Sequence, residues 1–326
     1  MKKQLQVWQL ISRSLGEGVP VMLLYVLESF GSSPGRAGFF MAVNARGELQ
    51  GSIGGGIMEH KFVEMAKEKL KADEYYNKIF KQIHDKASLL FQSGMICSGE
   101  QSNLLYRIKE EDYEAINQII SCLQNNKPGT LKLSQNGINF SHEVPDDVGS
   151  FFVVQSELLE DWIYEEQIGF KNNLHVVGSG HCALALSKIM AEMDFYIHLY
   201  DDRENLKTFL DNSYAHQKTV VNSYPELKTF IPPGEGSYVV VMTVGYRTDD
   251  IVVRSLMDKN FKFFGLLGSK KKIEKMFSDY RKEGINEELL KKIYAPVGLP
   301  INSQTPEEIA ISIAAQIIQV KNEVLK

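Results

Sequence analysis

The chain has 326 residues, 44% hydrophobic and 24% charged, a mixture that excludes a mainly disordered or collagen-like polymer and suits about two domains. With 36 Lys and Arg against 41 Asp and Glu the net charge is −5, so the overall balance exerts no pull toward nucleic acid or anionic lipid. No apolar run approaches the ~18 residues needed to span a bilayer, no secretory signal core is read at the N-terminus, and three cysteines, Cys97, Cys122 and Cys182, at no metal-type spacing fit a reducing, cytoplasmic protein.

In chain order, residues 19–27 form an apolar run long enough for a buried strand. Residues 39–44 and 48–53 read as two more strands, joined by the turn Asn44-Ala45-Arg46-Gly47. Gly54-Gly55-Gly56 then leads into a helix from about residue 57 to 70. Further strands are expected at 103–108, 130–133, 138–141 and 151–155, with a surface helix over 111–123. A Glu-rich stretch containing Trp162, residues 156–173, marks the boundary between a domain at 1–160 and a second at 173–326.

The second half alternates strand and helix. Strands are read at 174–177, 195–200, 238–241 and 261–267. A helix over 181–193 places Leu186, Ile189, Met190 and Met193 on one face. The last helix opens on Thr305-Pro306-Glu307-Glu308, a capping box with proline at the first helical position. Its apolar stripe is Ile309, Ile313, Ile317, Val320 and Val324. This order predicts an α/β fold: a C-terminal Rossmann-type, doubly wound parallel sheet covered on both faces, preceded by an N-terminal mixed α+β domain.

Chemistry concentrates in glycine-rich turns. Gly178-Ser179-Gly180-His181-Cys182-Ala183 is G-x-G-x-x-A between an apolar strand and an amphipathic helix, and Asp201 follows 23 residues after Gly178. Gly178 permits the tight turn, Gly180 lets backbone approach a phosphate, and Ala183 allows close helix packing. The helix start attracts an anion, and Asp201 is placed to accept from a ribose hydroxyl. The same glycines would also serve simply to close a strand–helix corner. Arg203 suits either a ligand phosphate or a surface salt bridge, and His181 either a ligand contact or a surface position. Cys182 lies in the first helical turn, where the dipole would favour a thiolate, although a small packing role suits it better. At Gly268-Ser269-Lys270-Lys271-Lys272 three cations oppose a helix dipole, offset either by a bound anion or by solvation.

Two loops in the first half carry the same chemistry. Gly31-Ser32-Ser33-Pro34-Gly35-Arg36-Ala37-Gly38 offers Ser32, Ser33 and Arg36, and Gly51-Ser52-Ile53-Gly54-Gly55-Gly56-Ile57-Met58-Glu59 offers Ser52, Gly54, Gly55, Gly56 and Glu59. Amides and hydroxyls in such loops can cradle an anion or a pterin. Glu59 would also be favoured at a helix start by the dipole alone.

Through Gly51 to Glu59, Gly178 to His181, Asp201 to Arg203, Gly265 to Ser269, Pro296 to Leu299 and Thr305 to Ile313, the chain resembles the XdhC/CoxI family over nearly its whole length. Members of that family are accessory factors of xanthine dehydrogenase and related molybdenum hydroxylases. The resemblance implies a homodimeric, cytoplasmic protein that binds molybdenum cofactor, as molybdopterin or its cytidine dinucleotide. Such a protein protects the cofactor while an oxo ligand is exchanged for sulfide, with a cysteine desulfurase as sulfur donor. It then delivers the cofactor to the apo-hydroxylase, acting as a chaperone more than as a catalyst. The cofactor-binding candidates are the loop residues above together with Gly178, Gly180, His181, Asp201, Arg203, Gly268 and Ser269. Cys97, in a Cys97-Ser98-Gly99 segment where the family has Cys-Gly-Gly, is the candidate for molybdenum or sulfur handling, since a thiolate is a soft ligand.

The chain departs from the family pattern where Gly35 precedes Arg36, and where Val244 follows Thr243 in place of a frequent histidine. The second departure weakens any general acid–base role. The absence of an iron–sulfur cysteine set and of HExxH means that this chain is not itself the hydroxylase. The Rossmann turn leaves open an NAD(P)-dependent oxidoreductase, and also a regulatory nucleotide-binding partner of another enzyme.

Overall fold

The computed structural model describes residues 2–83, 99–144, 151–154 and 162–323. It divides into two compact units, Met1–Gly169 and Phe170–Lys326. No helix among the described residues is long and apolar enough to cross a membrane.

The first unit opens with helix α1 (Lys2–Gly16), which the sequence reading omits. Its first residues are polar, and its buried stripe starts only at Val7, Trp8 and Ile11. Then come β1 (Val21–Gly31), β2 (Phe40–Asn44), β3 (Leu49–Gly51), α2 (Gly56–Lys71), β4 (Asn77–Ile83) and β5 (Gly99–Arg107). These strands form an antiparallel sheet in the order β3-β2-β1-β5-β4. Met22, Leu24 and Val26 of β1 join the core under α2, while Leu23, Tyr25 and Leu27 join the core that includes α1. A strand buried on both faces has no polar side, which is why residues 19–27 read as an unbroken apolar run.

Helix α3 (Tyr113–Gln124) leads to a second antiparallel sheet of β6 (Gly129–Ser134), β7 (Gly137–Ser141), β8 (Phe151–Val154) and β9 (Trp162–Ile168), ordered β7-β6-β9-β8. β9 lies within the stretch read as a boundary, yet it belongs to the first unit. Trp162, Tyr164, Glu166 and Ile168 all face inward, and the glutamate hides the alternation. Buried Glu166 is tolerated because the hydroxyls of Tyr25 and Tyr164 donate to its carboxylate.

The second unit runs β10 (Asn172–Val177), α4 (His181–Glu192), β11 (Phe195–Asp201), α5 (Lys207–Leu210), β12 (Gln217–Val220), α6 (Leu227–Phe230) and β13 (Gly234–Val241). It continues with α7 (Tyr246–Leu256), β14 (Phe261–Leu266), α8 (Lys270–Lys282), α9 (Glu287–Lys291), β15 (Ile293–Tyr294) and α10 (Pro306–Asn322). Every pairing in its sheet is parallel, in the order β12-β11-β10-β13-β14-β15, as the alternation predicts. Leu174, Val176, Ile197 and Leu199 pack with α4 and α10 on one face, and Val177, Val239 and Val241 with α7 and α8 on the other. Thr305 and Glu308 close the expected capping box. Met193 differs from its expected place: it is the C-cap of α4, 38% exposed, beyond the buried stripe. Val324 lies outside the described residues. Strand order reverses between β10 and β13, and that reversal opens a crevice at the carboxyl ends of the strands.

Two histidines are folded into this sheet. His175, 1% exposed, stacks on His198 with ring centroids 4.4 Å apart. Burial, with the neighbouring His198 and Lys259, holds His175 down to about 3, and burial holds His198 down to about 4. In the unfolded chain both rings take a proton near pH ~6.5, so below that pH the unfolded state binds more protons. Stability therefore falls as pH drops from 6.5 toward 4, by about 1.4 kcal/mol per pH unit for fully buried His175. Urea unfolding between pH 7 and pH 5 should show this slope, and His175→Phe should roughly halve it, since His198 keeps its own share.

Candidate functional site

At the carboxyl ends of β10, β11 and β13 lies a cleft of ≈ 370 Å³. Gly180 and His181 start one wall, Arg203, Leu206, Lys207 and Thr208 form another, and Met242, Thr243 and Val244 close it. Gly178 sits beneath with φ +102°, and a Cβ there would stand 2.3 Å from the Met242 carbonyl oxygen. Only glycine lets the β10 turn press so close to the end of β13. Gly180, by contrast, has nothing within 4 Å of where a Cβ would be, so backbone is open to the cleft. It is the N-cap of α4 and offers no side-chain cap, so the first-turn amides lack intrahelical partners. Ala183 is fully buried against the sheet, which gives the close helix packing expected of it.

Asp201 does not stand ready for a ribose. Its Oδ2 accepts from the Ser179 amide at 2.8 Å, the Ser179 hydroxyl at 2.6 Å and Arg203 Nη2 at 2.8 Å. Its Oδ1 accepts from the Arg203 amide at 3.0 Å and Nε at 2.8 Å. Burial pushes this carboxyl up, but the Arg203 and Ser179 donors outweigh it and hold it at about 2. A ribose hydroxyl would have to displace one of them. Arg203 is thus neither a purely solvated residue nor a free phosphate ligand, since it is forked onto Asp201 with its side chain 37% exposed. Cys182, in the first turn of α4, is partly buried against the core, and burial, then Glu307, raises its thiol above the ordinary range. The thiolate suggested by its helical position is therefore disfavoured.

A second carboxylate holds the neighbouring corner. Asp249, fully buried, accepts from the Thr243 amide at 3.0 Å and hydroxyl at 2.6 Å, and pairs with Lys272 Nζ. Lys272 Nζ also donates to the Leu267 carbonyl at 3.2 Å, while Ser269 caps α8 by accepting from the Lys272 amide. One of the three lysines after Gly268 is therefore the counter-ion of an internal carboxylate rather than part of an anion site.

In the first unit the glycine-rich loops lean on one another. A Cβ on Gly35 would lie 2.2 Å from the Ile53 carbonyl oxygen, one on Gly54 2.5 Å from the Gly35 nitrogen, and one on Gly99 2.7 Å from the Ser32 carbonyl carbon. Gln101 ties the first two loops, accepting from the Gly35 amide at 3.3 Å and donating to the Ile53 carbonyl at 3.1 Å. Ser33 donates to the Gly35 carbonyl, and Arg36 Nη1 to the Gly31 carbonyl, each at 2.9 Å. Ser32 is exposed beside them. The anion in the second loop is the chain's own: Glu59 Oε2 accepts from the Ser52 hydroxyl at 2.7 Å, the Ile53 amide at 2.8 Å and the Gly55 amide at 3.0 Å. Gly56 begins α2 at this corner.

Of the residues singled out from the sequence, Gly180, His181 and Arg203 share the second-unit cleft, with Gly178 and Asp201 beneath it. Ser32, Ser33, Arg36, Ser52, Gly54, Gly55, Gly56 and Glu59 belong to the first-unit loops. Cys97 lies outside the described residues. Among the described residues no group of three or more His, Cys, Asp or Glu could hold a metal ion. Sequence reasoning missed Lys207, Thr208, Gln101 and the Thr243–Asp249–Lys272 lock. Spacing carried a signal for the lock: Asp249 is the fourth helical residue after Gly245, as Glu59 is the fourth after Gly55.

Comparison with known proteins follows the same division. A family model described as the XdhC Rossmann domain matches residues 174–317, and one described as the XdhC and CoxI family matches residues 14–75. The chain is 25% identical over 311 residues to the uncharacterized protein YqeB of Escherichia coli (strain K12), covering 94% of this chain but only 44% of that relative. It is 23% identical over 325 residues to a probable xanthine dehydrogenase subunit from Bacillus subtilis (strain 168), covering 93% of this chain and 94% of that one. The crystal structure of a xanthine dehydrogenase from Bacillus halodurans superposes with a TM-score of 0.69 at 22% identity, covering 96% and 95% of the two chains, a likeness of fold.

The Glu59 contacts make a stability prediction. Glu59→Ala removes an acceptor shared by three donors and should destabilise the protein by about 1–3 kcal/mol. Glu59→Gln, which keeps an acceptor oxygen, should recover part of the loss in thermal unfolding. An unchanged Tm in Glu59→Ala would show that the loop is held by other means.

Proposed function

We propose that this chain, which belongs to the XdhC and CoxI family, is an accessory protein of a xanthine dehydrogenase-type molybdenum hydroxylase. Its cargo is molybdenum cofactor, which it binds, shields during exchange of an oxo ligand for sulfide, and hands to the apo-hydroxylase. The Bacillus subtilis relative, named for xanthine dehydrogenase, supports the accessory role. The observation that carries the cargo reading is the second-unit cleft, where open amides of α4, Arg203 and Lys207 stand beside apolar Leu206, Met242 and Val244. A phosphate suits the first set and a flat ring system the second. A cysteine desulfurase as sulfur donor, a homodimer and a cytoplasmic setting belong to the same reading. Cys97 is assigned the molybdenum or sulfur contact, because a thiolate is the soft ligand such a centre prefers.

The open Gly180 corner also favours a second reading, an NAD(P)-dependent oxidoreductase. The occupied Asp201 counts against it, since a dinucleotide fold uses that acid on the ribose.

Protein loaded with molybdenum cofactor should activate an apo-hydroxylase, and the oxidised pterin it releases should fluoresce. Cys97→Ala should retain the pterin but lose most of the activation; full activation would remove Cys97 from the role. NADH oxidation by a pterin-free preparation would replace this reading with the oxidoreductase.

A further inference from the structure

We infer that the second-unit cleft selects its ligand by a phosphate group rather than by a ribose diol, and that Arg203 sets this selectivity by keeping Asp201 closed. The inference deepens the carrier reading and rests on it for the physiological ligand.

A carboxylate has about four acceptor positions. Five donors from Ser179 and Arg203 converge on Asp201, which is fully buried. In a fold of this kind the acid at the end of the second strand accepts from the ribose hydroxyls, and a hydrogen bond to a carboxylate is the source of that recognition. Here the donors of the protein itself have taken every position. Asp202, 3.7 Å from Arg203 Nε, is engaged as well, accepting from the Tyr224 hydroxyl at 3.0 Å.

What the cleft presents instead is cationic. Arg203 binds Asp201 through Nε and Nη2, leaving Nη1 outside the pair on a side chain that lines the cleft. Lys207 lines it too, and has no ion pair among the described residues. The uncapped first turn of α4 adds amides and the positive end of the dipole. Phosphate oxygens accept from all three kinds of group. Met242, Leu206 and Val244, the last 69% exposed, give the attached ring an apolar wall. The ligand class is therefore a phosphorylated heteroaromatic, nucleotide or pterin, recognised with little regard to the sugar.

Calorimetry of the full-length protein with CDP and with 2′-deoxy-CDP tests this. The two should bind within about twofold of each other, and both more weakly as salt is raised. Lys207→Ala, which leaves the Asp201–Arg203 pair intact, should weaken both by about fivefold or more. Arg203→Ala should weaken both and free Asp201, so that CDP now binds at least about threefold more tightly than its deoxy form. A tenfold preference for CDP in the unaltered protein, no heat with either probe, or affinities unmoved by both substitutions would overturn the inference. A parallel assay of retained pterin separates the two readings. If Lys207→Ala loses CDP but keeps all its pterin, the cleft is not where the cargo's phosphate sits and this inference fails while the carrier reading stands. If CDP binds as expected but no pterin is ever retained, the carrier reading fails while the phosphate selectivity stands.

Discussion

A chain that leaves a strand through glycines and turns straight into a helix exposes amides with no carbonyl partner, and a glycine N-cap has no side chain to offer them. At three such corners a carboxylate takes the amides of turn residues at or before the N-cap. Glu59 reaches back from the first turn of α2, Asp249 does the same from α7, and Asp201 comes across from the end of the adjacent strand to the Ser179 amide. Where the cap is a hydroxyl residue, as at Thr305, the usual reciprocal box suffices. Hydrogen bonds to a charged acceptor are worth about 1.5–3 kcal/mol each, enough to hold a glycine turn that would otherwise sample many conformations.

The rest of the charge pattern follows from that choice. A buried carboxylate must be neutralised or fully hydrogen-bonded. Asp249 has Lys272, which accounts for one cation at an unfavourable helix start, and Asp201 has Arg203. Asp112 is served by donors alone: the Tyr106 hydroxyl and the amides of Lys109 and Ile138. Desolvation, with the carboxylate beside each, pushes the Tyr106 and Tyr25 phenols well above their ordinary range, so these donors keep their protons. The cleft walls are therefore set before any ligand arrives, and their free cations are those the internal carboxylates leave over.

How much of this was legible depended on how local the cause was. The parallel sheet could be read because its four inner strands, β11, β10, β13 and β14, carry apolar runs beside helices. The edge strands β12, Gln217-Lys218-Thr219-Val220, and β15, two residues long, have no such run and escaped. Gly178 could be assigned because its turn lies within six residues. α1 escaped because its buried stripe starts late, and β9 because Glu166 interrupts an apolar alternation whose rescue by two tyrosines is tertiary. In the site, residue types were legible and occupancies were not. Arg203 lies two residues from Asp201 and Glu59 four from Gly55, so those contacts turn on a rotamer that residue type does not fix, whereas Lys272 reaches Asp249 across 23 residues, a partner brought by the fold.

The mutual contact of Gly35 and Gly54 bears on how such a sequence can drift. Gly54 forbids a side chain because the Gly35 backbone is already there, and Gly35 because the Ile53 carbonyl, one residue before Gly54, is already there. Enlarging either one would push the two loops apart, and the space so opened would make enlarging the other cheaper. The pair should therefore behave epistatically, the double change costing less than the sum of the single ones. A lineage could leave this arrangement only by giving up both glycines in close succession, so the interlock acts as a ratchet on the local sequence even where no ligand touches it.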